Sequence, residues 1–281
     1  MNLVEKTCIA IRHTPRLTHA RWLWNAARPI YNSTVNALGR RRGLERVMNG
    51  TDRIRISPQF RNLGEVYEPE VWEQFMTSLS NGDVIADVGA HIGLYTIALA
   101  KRLTPNGRVI AFEPHEQTYD ALTQHVGLNG VQPVVETVRA VVGAVDGHVR
   151  FTDDQDVQNR IAAENTSQSS TVPAIRLDSF FKDRRLDILK VDVEGFEEDV
   201  LRGGEALLAD SYRAPRLIYL EVHPYNWSLC GTTSDSLLGR LHAAHYEVGT
   251  LDGEQCGRIL TYGHIIARRL DENLSARGRK V

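Results

Sequence analysis

The feature that most constrains the fold is a buried strand that runs into a glycine-containing turn and then into a helix. Residues 84–88 are apolar apart from Asp87. The end of this strand and the turn after it read Asp87-Val88-Gly89-Ala90-His91-Ile92-Gly93, and residues 94–102 then have a helical pattern. Glycines let the backbone turn sharply and approach a ligand, and a helix N-terminus offers free N–H groups. The glycine spacing differs from the dinucleotide fingerprint and disfavours NAD. The passage therefore predicts a binding site for another ligand that carries a carboxylate or phosphate.

After about residue 66, short apolar strands alternate with helical segments, which is typical of an α/β domain with a mostly parallel sheet. We predict strands over residues 84–88, 108–113, 134–142, 186–193, 216–222, 246–251 and 264–269, and helices over 94–102, 116–128, 196–208 and 234–244. Little sequence separates the last two strands, so we expect a hairpin and an antiparallel final strand. The connection over 147–177 contains one predicted strand, at 149–152, and a polar stretch over 153–171.

The first 65 residues differ in charge from the rest of the chain. They contain 12 Lys and Arg against 4 Asp and Glu, whereas the remainder contains 21 against 31. An apolar helical stripe over 23–38 predicts a basic helical N-terminal extension that docks on an acidic surface or forms a homodimer contact. Nucleic-acid or membrane-surface binding is the alternative. We divide the chain into this extension (1–65), a ligand-binding domain (66–271) and a polar tail (272–281).

The cellular setting is predicted from the cysteines and the apolar runs. Three cysteines, Cys8, Cys230 and Cys256, form no metal-binding pair and are too few to crosslink the chain, which favours a reducing compartment. The N-terminus has no apolar signal core, and charged residues interrupt each apolar run before it could cross a membrane. We expect a cytoplasmic protein without a transmembrane segment.

A second candidate ligand residue is Glu113, which ends the strand after the glycine turn. Open α/β sheets bind ligands at the carboxyl ends of their strands. A carboxylate there accepts both hydrogens of a ribose diol in a charge-assisted contact. Glu113 is therefore predicted to bind the ribose of an adenosine-containing cofactor.

A third motif is Leu189-Lys190-Val191-Asp192-Val193-Glu194-Gly195-Phe196-Glu197 at the end of the fourth strand. Together with the glycine turn, Phe112-Glu113-Pro114 and Tyr67-Glu68-Pro69-Glu70, it resembles the FkbM-type methyltransferase family over about residues 60–270. The family usually has Asn where this chain has His91. The resemblance implies the class I methyltransferase fold, a Rossmann-like seven-strand sheet with a reversed last strand.

The resemblance also implies S-adenosylmethionine as cofactor and O-methylation of sugars, polyketides or other hydroxylated small molecules. The cofactor-binding residues are then predicted to be Tyr67, Glu68, Asp87, Gly89, Ala90, His91, Gly93, Glu113 and Asp192. The absence of the [DN]-P-P-[FYW] signature of amino-methyltransferases at the fourth strand makes a nucleobase acceptor improbable. We expect no nucleic-acid partner.

Methyl transfer to a hydroxyl needs removal of the hydroxyl proton, by a base or with a metal ion that lowers its pKa. The candidates follow two strands: Asp192 and Glu194 after the fourth, Glu221 and His223 after the fifth. We predict His223 as the base. Asp192 and Glu221 either bind Mg²⁺ or hold the acceptor and the cofactor without a metal.

The remaining predictions concern nearby residues and competing functions. Glu197 is predicted to stabilise the N-terminus of a helix, and Lys190 to be solvated or paired. Substrate selection is assigned to residues 153–171 and to Tyr225, Asn226 and Trp227. Two other functions stay open: a non-catalytic nucleotide-binding module whose basic segment binds nucleic acid or a partner, and an NAD-dependent oxidoreductase with the wrong glycine spacing.

Overall fold

A computed structural model of the chain describes residues 41–103, 105–152 and 169–270, with isolated positions 29, 33 and 39 before them. Apart from positions 29 and 33, the predicted helical stripe over 23–38 with its dimer contact lies outside this part, as do the loop residues 153–168 and the tail over 272–281. Among the described residues, no helix combines the length and the apolar character needed to cross a bilayer.

Seven strands form the central sheet of the molecule. They are β3 (Val84–Val88), β4 (Arg108–Phe112), β5 (Val135–Val138), β9 (Ile188–Val191), β10 (Leu217–Val222), β11 (Tyr246–Thr250) and β12 (Gly263–Arg269), in the order β11-β12-β10-β9-β3-β4-β5. The run from β5 to β10 is parallel, whereas β12 is antiparallel to both of its neighbours. The predicted reversal of the last strand is confirmed, and the sheet has the class I methyltransferase topology.

Helices cover both faces of this sheet, because the parallel strands are apolar on both sides. They are α1 (Pro69–Thr77), α2 (Leu94–Arg102), α3 (Glu116–Asn129), α4 (Leu177–Phe180), α5 (Glu197–Gly203), α6 (Glu205–Ala209) and α7 (Ser234–Ala243). One hydrophobic cluster lies under α1, α2 and α3, and a second lies under α5, α6 and α7. The single helix predicted over 196–208 is wrong, since it divides at Gly204.

A second, three-stranded sheet was only partly predicted. It consists of β6 (Val141–Val142), β7 (Gly147–Thr152) and β8 (Ser169–Ile175), in the order β6-β8-β7. The strand predicted over 134–142 is therefore two strands, because the backbone turns at Ala140, whose N–H donates to the Val138 carbonyl, and β6 then pairs with β8. The amino-acid pattern contains no clear signal for β8, because two serines and a threonine precede its few apolar residues and a proline interrupts them.

Residues 44–56 correct the prediction that the N-terminal extension is helical. They form an antiparallel hairpin of β1 (Leu44–Met48) and β2 (Asp52–Ile56), with Asn49 and Gly50 both at positive φ in the turn. An Asn-Gly pair between alternating apolar residues is a strong hairpin signal. The buried face of the hairpin belongs to the same hydrophobic cluster as α1, α2 and α3. The domain boundary at residue 65 stays a prediction.

Polar contacts also attach this hairpin to the helices. The buried Asp52 accepts hydrogen bonds from Arg102 and from the Trp72 indole, the latter at 2.8 Å. The backbone N–H of Ser57 donates to His125 Nε2 at 2.9 Å, and His125 Nδ1 lies 2.8 Å from the Ile92 carbonyl. His125 is completely buried. Because it contacts both Ser57 and Ile92, it connects the end of the hairpin to the glycine turn.

Candidate functional site

The predicted site residues lie at the carboxyl edge of the sheet, where the strand order reverses. From β3 the chain continues outward through β4 to β5, and then returns to β9 on the other side of β3. Such a switch point leaves a crevice outside the strand ends, which is where open α/β sheets bind ligands. Asp87 on β3 is in register with Lys190 on β9, so the two motifs recognised in the sequence are adjacent in space.

The turn after β3 depends on glycine at its first position. Gly89 has φ 81°, and a Cβ atom there would overlap the backbone carbonyl oxygen of Asp192. The N–H groups of Gly89 and Ala90 both donate to the Phe112 carbonyl at 3.0 Å. This turn therefore holds the ends of β3, β4 and β9 together at close distance.

His91 adopts the left-handed conformation in the same turn, with φ 51°. Asparagine and histidine are among the non-glycine residues that adopt this region most readily, which explains how His91 can replace the usual Asn without changing the turn. Gly93, also at positive φ, precedes the first residue of α2. The N-terminus of α2 consequently points toward the crevice edge formed by the turn.

Glu113 lies directly after β4, where the sequence predicted it. One carboxylate oxygen accepts the His91 backbone N–H at 2.8 Å, and the other accepts from the His115 N–H at 3.0 Å and the Thr118 hydroxyl at 2.8 Å. The carboxylate is buried, and this burial raises its pKa in spite of those hydrogen bonds. The contact with His91 fixes Glu113 against the glycine turn, in a position that suits a ribose diol.

Asp87 and Lys190 form a buried ion pair below the turn. Asp87 is completely buried, accepts the Thr96 hydroxyl at 2.6 Å through Oδ2, and has Oδ1 at 3.8 Å from Lys190 Nζ. Lys190 Nζ also lies 3.4 Å from Asp192 Oδ2 and 5.0 Å from the centre of the Tyr95 ring. Burial opposes the charge of Lys190, but these carboxylates outweigh it and raise the lysine pKa. Of the two states predicted for Lys190, the paired one is present.

Asp192 and Glu221 have different pKa values because their partners differ. Burial raises the pKa of Asp192, and the Glu221 carboxylate adds to the increase, while Lys190 opposes both. For Glu221 burial also acts upward, but His264, the Tyr262 hydroxyl and Lys190 outweigh it and hold the pKa below its usual value. Asp192 therefore takes up a proton more readily than Glu221.

His223 is held from behind by Glu197. His223 Nδ1 lies 2.7 Å from Glu197 Oε1, and that oxygen also accepts the Gly195 N–H at 2.9 Å. Glu197 Oε2 accepts the Trp227 indole N–H at 2.9 Å, so all its contacts are internal. Burial lowers the pKa of His223, but Glu197 and the nearby Glu194 raise it by more. The prediction that Glu197 only stabilises a helix N-terminus is incomplete, since its carboxylate orients this histidine.

Access to His223 does not agree with the prediction that it is the base. Its side chain is only 2% exposed, and Nε2 faces Glu194 Oε2 at 3.6 Å and Glu221 Oε1 at 3.7 Å. The side chains of Asp192 and Glu194 are each 23% exposed. Solvent therefore reaches the carboxylates of this cluster more easily than the imidazole.

Tyr67 and Glu68, which directly precede α1, reach the same carboxyl edge of the sheet. Glu68 accepts the Tyr95 hydroxyl at 2.9 Å, and His264 Nε2 lies 3.6 Å from Glu68 and 3.4 Å from Glu221. These two carboxylates raise the pKa of His264 to about 9, against the effect of burial. Tyr67 packs against Tyr95, and its backbone exchanges hydrogen bonds with the Asn49 side chain in the β1–β2 turn. The hairpin thus positions the segment whose Tyr67 and Glu68 are predicted to bind the cofactor.

The three residues predicted to bind substrate have different surroundings. Tyr225 is 54% exposed and its hydroxyl donates to Glu194 Oε2 at 3.3 Å. Asn226 is buried and donates to the Glu194 carbonyl at 2.9 Å. Trp227 is buried with its N–H on Glu197, so its assignment to the substrate does not agree with this packing. Of the three, Tyr225 is the residue with a free face.

Four residues of this site were missed or assigned another role in the sequence: Lys190, Glu197, Tyr262 and His264. For the last two, the reversal of β12 was an unused signal. An antiparallel final strand begins at the edge where the parallel strands end, and the register pairs His264 with Glu221. The residues just before β12 therefore had to lie beside the ends of β9 and β10.

The amino-acid sequence over residues 87–257 matches the methyltransferase FkbM domain. The hexuronic acid methyltransferase AglP of Haloferax volcanii is 25% identical over 159 residues, which cover 56% of this chain and 62% of that protein. Methyltransferase sdnD of Sordaria araneosa is 26% identical over 163 residues, covering 46% of this chain and 62% of that protein. The matches thus span about three fifths of the length of these curated relatives.

Solved structures with a similar shape include a SAM-dependent O-methyltransferase from Thermotoga maritima, with a TM-score of 0.42, 14% identity and coverage of 76% of this chain and 70% of that one. Another is a precorrin-6y C5,15-methyltransferase from Geobacter metallireducens, with a TM-score of 0.43, 15% identity and coverage of 72% and 88%. The matched domain, which covers more than half of the chain, contains the glycine turn, Glu113 and the Asp192 cluster. The chain belongs to the FkbM methyltransferase family.

Proposed function

We propose that this protein is an S-adenosylmethionine-dependent O-methyltransferase that acts on a hydroxyl group of a small molecule. The observation that carries the proposal is the contact between the glycine turn and the end of β9. Gly89 lies against the Asp192 backbone, and the Asp192 N–H donates to the Val88 carbonyl at 3.0 Å. A carboxylate with a raised pKa is thereby fixed beside the turn that would bind the cofactor.

The residues present fit an adenosyl cofactor. Glu113 offers a carboxylate, fixed on both oxygens, to the ribose hydroxyls, and the turn over 89–93 gives a close backbone approach. Tyr67 and Glu68 lie over the same strand ends and suit the methionine end. When bound, this cofactor supplies an activated methyl group. The protein then has to align the acceptor and accept its proton.

We assign proton acceptance to Asp192 rather than to His223. A general base works best when its pKa is near the working pH, and burial together with Glu221 moves Asp192 in that direction. Asp192 is also reachable from solvent, whereas Tyr225 and Tyr262 lie against the His223 ring. His223, fixed by Glu197, positions Glu194 and Glu221 around the acceptor. The predicted catalytic group of His223, Asp192 and Glu194 is retained with these revised roles.

The Mg²⁺ alternative does not fit the donor set. Asp192, Glu221 and His223 each offer one atom, and these atoms lie within 4.8 Å of one another. However, the Lys190 ammonium already lies 3.4 Å from Asp192, and His264 and Tyr262 already contact Glu221. Mg²⁺ prefers an octahedron of oxygen ligands and would be repelled by the positive charges of Lys190 and His264. We therefore propose catalysis without Mg²⁺ and expect turnover to survive EDTA unchanged.

The acceptor is proposed to be a hydroxylated small molecule of the sugar or polyketide type. The Haloferax relative is named for a hexuronic acid, which agrees with a carbohydrate acceptor in the wider family. The alternative function, a nucleotide-binding module that binds nucleic acid, depends on the basic segment before residue 41. No contact among the described residues favours it.

The test combines cofactor binding with methyl transfer. Calorimetry with S-adenosylhomocysteine should give saturable heat for the parent protein and none for Glu113→Ala. Isotope-labelled S-adenosylmethionine with a panel of glycosides and hydroxylated macrolides should then yield a labelled product.

Asp192, which the resemblance also placed among the cofactor-binding residues, is proposed to act mainly as the base. Asp192→Asn should therefore reduce turnover by roughly 10² to 10⁴ while S-adenosylhomocysteine affinity changes little. Asp252→Asn, on an exposed turn, is the matched control and should behave as the parent protein. Absence of heat with the cofactor product in the parent protein would exclude the proposed function, and full turnover in Asp192→Asn would exclude the assigned base.

A further inference from the structure

Two exposed tyrosines lie beside His223 and the carboxylates of Glu194 and Glu221. Tyr225 is 54% exposed and Tyr262 is 53% exposed, and their ring centres are 5.7 Å and 5.4 Å from the His223 ring. The Tyr225 hydroxyl donates to Glu194, and the Tyr262 hydroxyl donates to Glu221. Each ring is thus held at its polar end by a site carboxylate and leaves apolar surface open to solvent.

This arrangement differs from that of an ordinary surface aromatic residue. Scattered exposed hydrophobic side chains need no explanation, but these two come from separate segments and meet at one histidine. Tyr225 follows β10, and Tyr262 precedes the antiparallel β12. Rings fixed in this way can pack against the C–H face of another ring at little cost in conformational freedom.

The charge beside these rings is predominantly negative. The side chains of Glu68, Asp192 and Glu194 are 21–23% exposed, whereas the cations that pair with this cluster, Lys190 and His264, are 8% and 14% exposed. Among the described ion pairs, none joins an arginine to these carboxylates or to Glu221. Carboxylates therefore form more of the accessible surface than cations do, and a ligand with its own carboxylate would meet repulsion.

We propose that Tyr225 and Tyr262 form the binding platform for the acceptor, and that the acceptor is a cyclic hydroxyl compound with an apolar face and no negative charge. This inference rests on the proposed function and adds an acceptor subsite to it. It assigns to Tyr262 a role in specificity. It also predicts a preference opposite to the hexuronic acid for which the Haloferax relative is named.

The experiment uses the full chain saturated with S-adenosylhomocysteine and three matched probes. These are methyl glucopyranoside, its 2-amino-2-deoxy derivative and methyl glucopyranosiduronic acid, with binding measured by saturation-transfer NMR titration. The neutral and amino sugars should bind at least about tenfold more tightly than the uronic acid, because the acid adds a charge of the same sign as the site.

Variants of the tyrosines separate this platform from general surface binding. Tyr225→Ala and Tyr262→Ala should each weaken binding of the neutral sugar about tenfold. Tyr262→Phe, which keeps the ring, should lose less affinity for this sugar. Tyr212→Ala, which removes a ring 79% exposed on another segment, is the matched control and should have no effect. Thermal melting confirms that each variant is folded.

S-adenosylhomocysteine affinity distinguishes the two possible failures. If the parent protein does not bind this compound, the proposed function fails. If it binds the compound but binds none of the three sugars, or binds the uronic acid most tightly, or if the two alanine variants bind sugar as the parent does, the platform fails alone.

Discussion

Glu197→Gln tests whether the buried carboxylate holds the histidine side of the site together. Glu197 is completely buried and accepts three hydrogen bonds, from Gly195 and His223 on Oε1 and from Trp227 on Oε2. The best orientation of the glutamine keeps its carbonyl toward the first two donors. Its amide nitrogen then faces the Trp227 N–H, so two buried donors point at each other.

The cost follows from this geometry. A buried donor without a partner costs about 1–3 kcal/mol, and two such donors give roughly 2–6 kcal/mol for the substitution. For a protein of this size that corresponds to a decrease in Tm of roughly 4–24 °C. Urea unfolding, monitored by tryptophan fluorescence, measures the loss in free energy of unfolding, and calorimetry measures the decrease in Tm. Glu205→Gln, whose side chain is 76% exposed, is the matched control and should unfold like the parent protein.

A double variant makes the reasoning specific. Trp227→Phe removes the donor that faces the new amide, so Glu197→Gln combined with Trp227→Phe should cost less than the sum of the single changes by about 1 kcal/mol. S-adenosylhomocysteine affinity should stay unchanged, because Glu113 follows β4, whereas Glu197 begins α5. A Glu197→Gln protein within about 0.5 kcal/mol of the parent, or strictly additive effects, would refute this account.

Three further outcomes are expected. Glu113→Gln should weaken the binding of S-adenosylhomocysteine about 10- to 100-fold by calorimetry, since charged hydrogen bonds contribute about 1.5–3 kcal/mol. Equal affinity of the variant and the parent protein would contradict the ribose contact. Burial lowers the pKa of His125 below 6.5, so the unfolded state binds more protons and stability should fall as the pH drops below 6.5; His125→Gln should flatten this part of the Tm–pH curve. Gly89→Ala should abolish soluble folded protein, whereas Gly50→Ala, at φ 75° with open space around its Cβ, should cost only about 1 kcal/mol, and similar yields would refute the overlap with Asp192.

The sequence predicted the central sheet well because its signals are local. Apolar runs and the glycine turn located the seven strands within a few residues, and the helix bounds for α2 matched. The errors fell where local pattern and tertiary pairing disagree. Residues 134–142 are rich in valine and contain no glycine or proline, but the chain turns at Ala140 to join a different sheet.

The candidate site was predicted as a set of residues but not as an arrangement. Positions at strand ends follow from the α/β pattern, which is why Glu113, Asp192 and Glu221 all lie at the crevice. Burial and partners depend on side-chain directions that spacing does not contain. Lys190 could be solvated or paired in the sequence, and only its register with Asp87 places it between two carboxylates.

The distribution of cations explains why proton acceptance falls to one carboxylate of this cluster. Glu221 receives the Tyr262 hydroxyl and the charge of His264, and Glu197 receives three donors. Asp192 has Lys190, which it shares with Asp87, and a smaller contribution from His223. Since burial disfavours charge on both Asp192 and Glu221, the less compensated Asp192 keeps the higher proton affinity of the two. That carboxylate is also the one whose backbone touches Gly89, so the basic group and the predicted cofactor turn are positioned by the same contact.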